Sequence, residues 1–329
     1  MKPQGLFGCK SFNEVCLEIA ENDNFGGLPD KQSFGLISCI VKSGDDLKQE
    51  QFASQMISKF MDIFDLHGLK LWLKPFNIIA TCEDGGLIQT VPDSISIDKL
   101  KKSCPQFASL KQYFKATYKH HGSSSSGSTP RQGGGNMRLT DQVAKGIKQL
   151  SPQQQLQARI ARKRYAKARN NFLQSTAGYS LLCYILQIKD RHNGNILLDS
   201  KGHMIHVDFG FLLSNSPGNI NGEANSFKMT TEYVELLGGQ NSRAFAKFQG
   251  LMVKGFMKLR EHAEEIISFV EMTMLSGIDL PCFQGKDRVL TALRERFQLD
   301  LTPAECKKFM LDMIENACDN WRTNWYDKY

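Results

Sequence analysis

Residues 189–210 read KDRHNGNILLDSKGHMIHVDFG, and they decide how the rest of the chain is read. The apolar runs NILL and MIHV have the length and branching of two short strands, and Ser200-Lys201-Gly202 between them is a turn signal. Asp190, Asn195 and Asp208 therefore flank a predicted hairpin, the second five residues and the third eighteen residues after the first. Two carboxylates and an amide held at fixed spacing around a hairpin are an arrangement for gripping a cation and a proton.

Outward from that stretch, composition bounds the fold. The chain has 329 residues, 41% of them hydrophobic, enough for one large core or two lobes. No apolar run approaches the ~20 residues of a membrane span, and MKPQGLFGCK lacks the apolar core of a signal peptide, so a soluble protein is expected. The nine cysteines are odd in number and contain no CxxC pair. Reduced, mostly buried thiols are the expected state, with no structural metal and a cytoplasmic setting.

Charge is concentrated in one place. The net charge is +7, yet residues 119–170 alone hold eleven Lys or Arg against one acid, Asp141. That window opens with HHGSSSSGSTPRQGGGN, whose Ser/Gly content predicts a flexible linker. After Pro152 good helix formers take over, with Leu156, Ile160, Phe172 and Tyr179 as apolar positions of one helix or two. The reading is a basic insertion at about 120–170 that feeds a core helix. Its Arg162-Lys163-Arg164 cluster is open to two readings, a contact for anionic lipid or nucleic acid, or a solvated face.

Before the insertion, FGLISCI predicts a strand reaching Val41 and Lys42. DDLKQEQFASQMISKFMDIF has helical periodicity, and LKLWLKPFNIIATCE and GGLIQTV predict strands about a turn at Asp84-Gly85-Gly86. Residues 1–90 thus form a small α+β lobe. From Ser94 onward helices dominate, notably over 172–187, 229–238, 242–275 and 302–321, so residues 91–329 form a larger, mainly helical lobe containing the hairpin. The expected fold class is α+β and bilobal, and because Asp190, Asn195 and Asp208-Phe209-Gly210 follow the spacing that protein kinases use around their hairpin, protein-kinase-like.

Phosphoryl transfer explains the polar set. Nucleotide phosphates need a hard divalent cation with oxygen ligands, for which Asn195 and Asp208 supply an amide and a carboxylate. A hydroxyl nucleophile needs a carboxylate to orient it and take its proton, and Asp190 is placed for that. A cation on an upstream strand, Lys42, and an acid eight residues on, Glu50, complete the requirement for holding the nucleotide.

VKSGDDLKQE, KDRHNGNILLD, HVDFGF and SFKMTTEYVELLGG together resemble the catalytic domain of the phosphatidylinositol 3- and 4-kinase family, and look most like its type III beta 4-kinase branch. The resemblance runs from about Phe25 to the C-terminus, interrupted by the insertion. The order Asp-Arg-His in DRHNGN separates it from ordinary protein kinases, which present His-Arg-Asp, and Gly194 is similar to the 4-kinases where many 3-kinases carry an acid. Little before Phe25 resembles the helical region that precedes the kinase domain in family members, so a catalytic fragment is expected. SNSPGNINGEANSF departs from the family around Gly222, where relatives often carry an aromatic or a further apolar residue.

The resemblance implies transfer of the γ-phosphoryl group of ATP, with Mg²⁺ or Mn²⁺, to the 4-hydroxyl of phosphatidylinositol. It also implies roles. Lys42 meets the phosphates and Glu50 steadies it; Asp190 and His192 form the catalytic loop; Asn195 and Asp208 bind metal. Phe25, Gly26 and Gly27 belong to the phosphate-binding loop. Ile40, Ile88, Gln89, Thr90, Val91 and either Ile205 or Val207 surround adenine, Val207 being favoured by its place before Asp208. Between Asp208 and Thr231 the activation loop has one cation, Lys228, which suits a lipid without extra ring phosphates. Phe227 and Lys228, with Trp321 and Trp325 at i and i+4 near the C-terminus, are candidate lipid contacts; core packing explains the aromatics equally. Peripheral attachment to intracellular membranes, Golgi among them, and recruitment by small GTPases or adaptors through regions outside this chain follow from the resemblance, with no nucleic-acid partner. The alternatives are a 3-kinase, a serine/threonine kinase of the related large protein-kinase group, and a nucleotide-binding scaffold.

Overall fold

A computed structural model of the protein describes residues 37–104, 107–119, 151–216 and 226–319. The first sheet is β1 (Cys39–Ser43), β2 (Ile78–Cys82) and β3 (Gly85–Gln89), antiparallel in the order β1-β3-β2. Its register places Ile40 opposite Ile88 and Lys42 opposite Gly86. Gly86 is obligatory at this point, because a Cβ there would run into the Ile79 carbonyl of the neighbouring strand. Of the strand predicted over 34–40, residues 34–36 lie outside the described residues, and the strand that leads to Lys42 begins at Cys39.

Helix α1 (Lys48–Leu66) carries apolar residues at helical spacing, and Phe52, Met56, Phe60 and Phe64 are all at most 2% exposed. Each such burial removes enough apolar surface to contribute about 1.5–3 kcal/mol. The stripe faces the first sheet on one side and the helical part of the molecule on the other, with Phe52 stacked near Phe269 and edge-on to Phe283 at 5.2 Å. Helix α1 therefore belongs to both halves.

The remainder is mainly helical, as predicted. Strand β4 (Ser94–Ser96) leads into α2 (Ile97–Ser103), capped by the Ser96 hydroxyl, and α3 (Leu110–Lys119) follows. The basic region after Pro152 is one continuous helix, α4 (Pro152–Leu186), opened by a capping box between Ser151 and Gln154. The Ser/Gly-rich part of the predicted insertion, up to residue 150, lies outside the described residues. Helix α4 ends at Gln187 in the left-handed conformation and delivers the chain to Asp190.

NILL and MIHV form the expected hairpin, β5 (Ile196–Asp199) and β6 (Met204–His206), and β4 pairs on its other edge. Beyond it lie α5 (Thr231–Leu237), α6 (Arg243–Glu261), α7 (Ala263–Leu275), α8 (Lys286–Arg296) and α9 (Pro303–Asp319). The predicted helix over 242–275 breaks at His262, whose side chain bonds Glu265 at 2.8 Å. Helices α4 and α6 cross closely, since a Cβ at Gly255 would lie 2.5 Å from Leu181 Cδ1. Among the described residues no helix is long and apolar enough to cross a membrane.

Candidate active site

Between the first sheet and the β4-β5-β6 sheet lies a cavity of about 930 Å³. Ile40, Lys42, Ile88, Gln89, Thr90 and Val91 line it from one side, Val207 and Asp208 from the other, and Glu50 reaches it from α1. Ile40 and Ile88 are register partners on β1 and β3, so both project toward Val207 across an apolar slot. Ile205, the alternative to Val207, is 1% exposed and sits in the core. At the slot's edge Thr90 donates its N–H to the Ser38 carbonyl at 2.9 Å, and the chain leaves the sheet at Val91. Phe25, Gly26, Gly27, Trp321 and Trp325 lie outside the described residues.

Lys42 Nζ lies 3.3 Å from Glu50 Oε1 and also pairs with Asp45. Burial pulls the ammonium down, but Asp45 and Glu50 together outweigh it and hold its pKa above the usual lysine value. Burial raises the Glu50 carboxyl, with Lys42 opposing and Asp208 adding to the rise. Asp208 thus stands close enough to share the electrostatics of this pair.

Asp190, His192 and Asn195, expected to form the catalytic loop, gather at the base of the hairpin and are not among the residues that line the cavity. Asp190 and Asp208 both have positive φ, 58° and 61°, a conformation that Asp tolerates and that turns each carboxylate out of its chain direction. His192 Nδ1 accepts the Gly194 N–H at 3.0 Å, so the neutral ring carries its proton on Nε2, which lies 4.0 Å from Asp190 Oδ2. Asn195 is 7% exposed and its amide donates to the Asp190 carbonyl at 3.1 Å, which fixes the orientation of the amide and leaves its oxygen as the group on the other side. One carboxylate and one oriented amide oxygen are hard donors that fit Mg²⁺ or Mn²⁺ when phosphates and water complete the shell.

Two residues that the sequence did not single out hold this assembly. Arg191 spreads its donors over the carbonyls of Lys189 (2.8 Å), Val207 (2.9 Å) and Asp208, and its guanidinium lies 5.5 Å from the Phe209 ring. Gln49, 6% exposed, donates to the carbonyls of Phe209 (3.0 Å) and Gly210 (2.6 Å) and accepts the Cys282 N–H at 3.0 Å. A signal for Gln49 was present: it shares the α1 stripe of Phe52, Ala53 and Met56, where a polar residue needs a buried partner. Phe76, Lys99 and Ser103 also line the cavity without having been predicted.

The segment expected to form the activation loop corrects one expectation. Phe227 is 4% exposed and packs in the core, so its ring is unavailable to a bilayer in this structure. Lys228 reaches back to Asn193 Oδ1 at 3.1 Å, beside the catalytic loop. Residues 217–225 lie outside the described residues.

The comparisons agree with this geometry. A family model described as phosphatidylinositol 3- and 4-kinase matches residues 36–283. Phosphatidylinositol 4-kinase beta 2 of Arabidopsis thaliana is 41% identical over 317 residues, 95% of this chain and 24% of the plant protein. A Dictyostelium discoideum phosphatidylinositol 4-kinase is 41% identical over 97% of this chain and 24% of its own length. For the Rattus norvegicus phosphatidylinositol 4-kinase beta the figures are 35% identity, 97% and 33%. The chain thus spans about a quarter to a third of the length of these relatives. It belongs to the phosphatidylinositol 3- and 4-kinase family.

Proposed function

We propose that this chain is the catalytic part of a lipid kinase that moves the γ-phosphoryl group of ATP onto the 4-hydroxyl of phosphatidylinositol, giving phosphatidylinositol 4-phosphate. The observation that carries the reading is the convergence of the Lys42–Glu50 pair and Asp208 on one cavity with an apolar slot. The relatives, phosphatidylinositol 4-kinases in each case, support the ring position.

In this reading Ile40, Ile88 and Val207 clasp adenine, and Gln89 to Val91 form its polar edge. Lys42, held by Glu50, meets the phosphates, joined by backbone groups of Phe25, Gly26 and Gly27. Asn195 and Asp208 would hold Mg²⁺ or Mn²⁺, whose chemistry there would be to offset negative charge on the phosphates. Asp190 orients the inositol hydroxyl and takes its proton, while the His192 Nε2 proton faces the charge that develops on the transferred group. Lys228 meets the anionic headgroup, and Trp321 and Trp325 contact the bilayer interface. The enzyme works at the periphery of intracellular membranes, recruited through regions outside this chain.

ATP consumption in the presence of phosphatidylinositol vesicles, compared with peptide substrates and with no acceptor, tests the reading. Stimulation by the vesicles alone is expected. Stimulation by peptides would favour a protein kinase, and nucleotide binding without turnover would favour a scaffold.

A further inference from the structure

The first half of α4 is built the wrong way round for an ordinary surface helix. Leu156, Ile160, Lys163 and Lys167 fall at i, i+4, i+7 and i+11, one stripe along the helix, and Leu156 and Ile160 on it are 58% and 48% exposed. The less exposed stripe is Ala158, Ala161, Tyr165 and Ala168. Of that stripe Ala168 is buried and Tyr165 packs against the core, while the branched apolar Leu156 and Ile160 face out.

Around that outward stripe the charge has one sign. Arg159, Arg162, Lys163, Arg164 and Lys167 are exposed, and residues 151–189 contain no Asp or Glu. None of these five cations forms an ion pair among the described residues, whereas elsewhere Lys59, Lys101, Lys111, Lys258 and Arg294 each meet a glutamate. A solvated charged face of a stable domain normally mixes signs. Arg159, Lys163, Arg164 and Lys167, which lie on or beside the stripe of two exposed aliphatic side chains and have no acidic partner among the described residues, match a surface that is negative outside and apolar beneath, while Arg162 lies toward the other side of the helix.

We infer that the outward face of α4 between Leu156 and Lys167 docks on an anionic membrane, the cations meeting lipid headgroups and Leu156 and Ile160 entering the interface. A nucleic acid or an acidic protein would also attract the cations, but neither explains the central pair of exposed aliphatics as directly. The choice of a lipid surface rests on the lipid-kinase reading, because that enzyme's acceptor lies in a membrane and is itself anionic.

The test is co-sedimentation of the full chain with phosphatidylcholine vesicles that contain or lack about 30% phosphatidylserine, a lipid that is not the acceptor. The wild type is compared with a variant carrying R159Q, R162Q, K163Q, R164Q and K167Q, and with a second carrying L156S and I160S. Binding to the anionic vesicles, weakened at least about tenfold in the first variant and several-fold in the second, and falling as salt rises, is expected. Turnover of short-chain, soluble phosphatidylinositol should be the same in all three proteins, since the stripe lies outside the cavity. Equal vesicle binding by wild type and both variants would overturn the inference, as would loss of soluble-substrate turnover in step with vesicle binding. Vesicle binding that depends on the stripe, in a protein inactive on soluble phosphatidylinositol, would support the docking face and remove the lipid-kinase reading instead.

Discussion

Gln49 donates to the backbone carbonyl of Phe209 at 3.0 Å, which ties the helix bearing Glu50 to the segment bearing Asp208. The same side chain also bonds Gly210 and Cys282, so Gln49→Ala leaves the buried Phe209 carbonyl and the Cys282 N–H without that partner, while the Gly210 carbonyl keeps the Asn215 amide. A stability loss of about 1–3 kcal/mol is expected, read as a lower Tm. Because Asp208 is released as well, the rate should fall about tenfold to a hundredfold and half-saturation should need more metal. A lower Tm with unchanged metal dependence would make Gln49 a packing residue only.

Asp208→Asn changes one exposed oxygen at the cavity and nothing in the core. Phosphate transfer should drop at least about a hundredfold while Tm stays close to the wild type. A folded variant with near-normal turnover would contradict the metal assignment.

Glu50 gives a pH dependence with a definite sign. Burial raises its carboxyl above the ordinary 4.5, so the folded state holds the proton more tightly than the unfolded chain does. The contribution of this group to stability is therefore complete below that ordinary value and is lost as pH rises through the raised one, and near neutrality the ionised carboxylate is a cost. Glu50→Gln should melt at or above the wild-type temperature near neutral pH, the gap closing on acidification toward the ordinary value, while KM for ATP rises because Lys42 is left to Asp45. A wild type that gains on the variant as pH climbs would have the sign reversed.

Gly194 sets the His192 ring. A Cβ at 194 would lie 2.7 Å from His192 Cε1 and 2.8 Å from Nδ1, so Gly194→Ala forces the ring to rotate and carries Nε2 away from Asp190. The expected result is a kcat about tenfold lower with KM for ATP unchanged, and little further loss when His192→Ala is added. Additive losses would separate the two residues.

Much of this was legible because it is local. The hairpin follows from two apolar runs and a turn, and Lys42 and Glu50 from a strand leading into a periodic helix. The family resemblance supplied Ile40, Lys42, Glu50, Ile88, Gln89, Thr90, Val91, Val207 and Asp208 of the cavity lining, but not Phe76, Lys99, Ser103 or the β4 side. What escaped depends on side chains crossing between distant segments: Arg191 reaches Val207, and Gln49 is 233 residues from Cys282. Phe227 escaped for a different reason, since a lone aromatic beside a lysine reads equally as core or as membrane anchor until burial is known. Helix α4 runs unbroken because its N-terminal half, though exposed, is rich in Ala, Gln, Lys and Arg.

Labelled ATP, Mg²⁺ and phosphatidylinositol vesicles supplied to the protein, followed by separation of the positional isomers of the lipid product with Asp208→Asn as the control, show whether this chain is a 4-kinase. Label at the 4-position, absent with the control protein, is the predicted result. Label at the 3-position, or none on lipid while the protein still binds ATP, would contradict it.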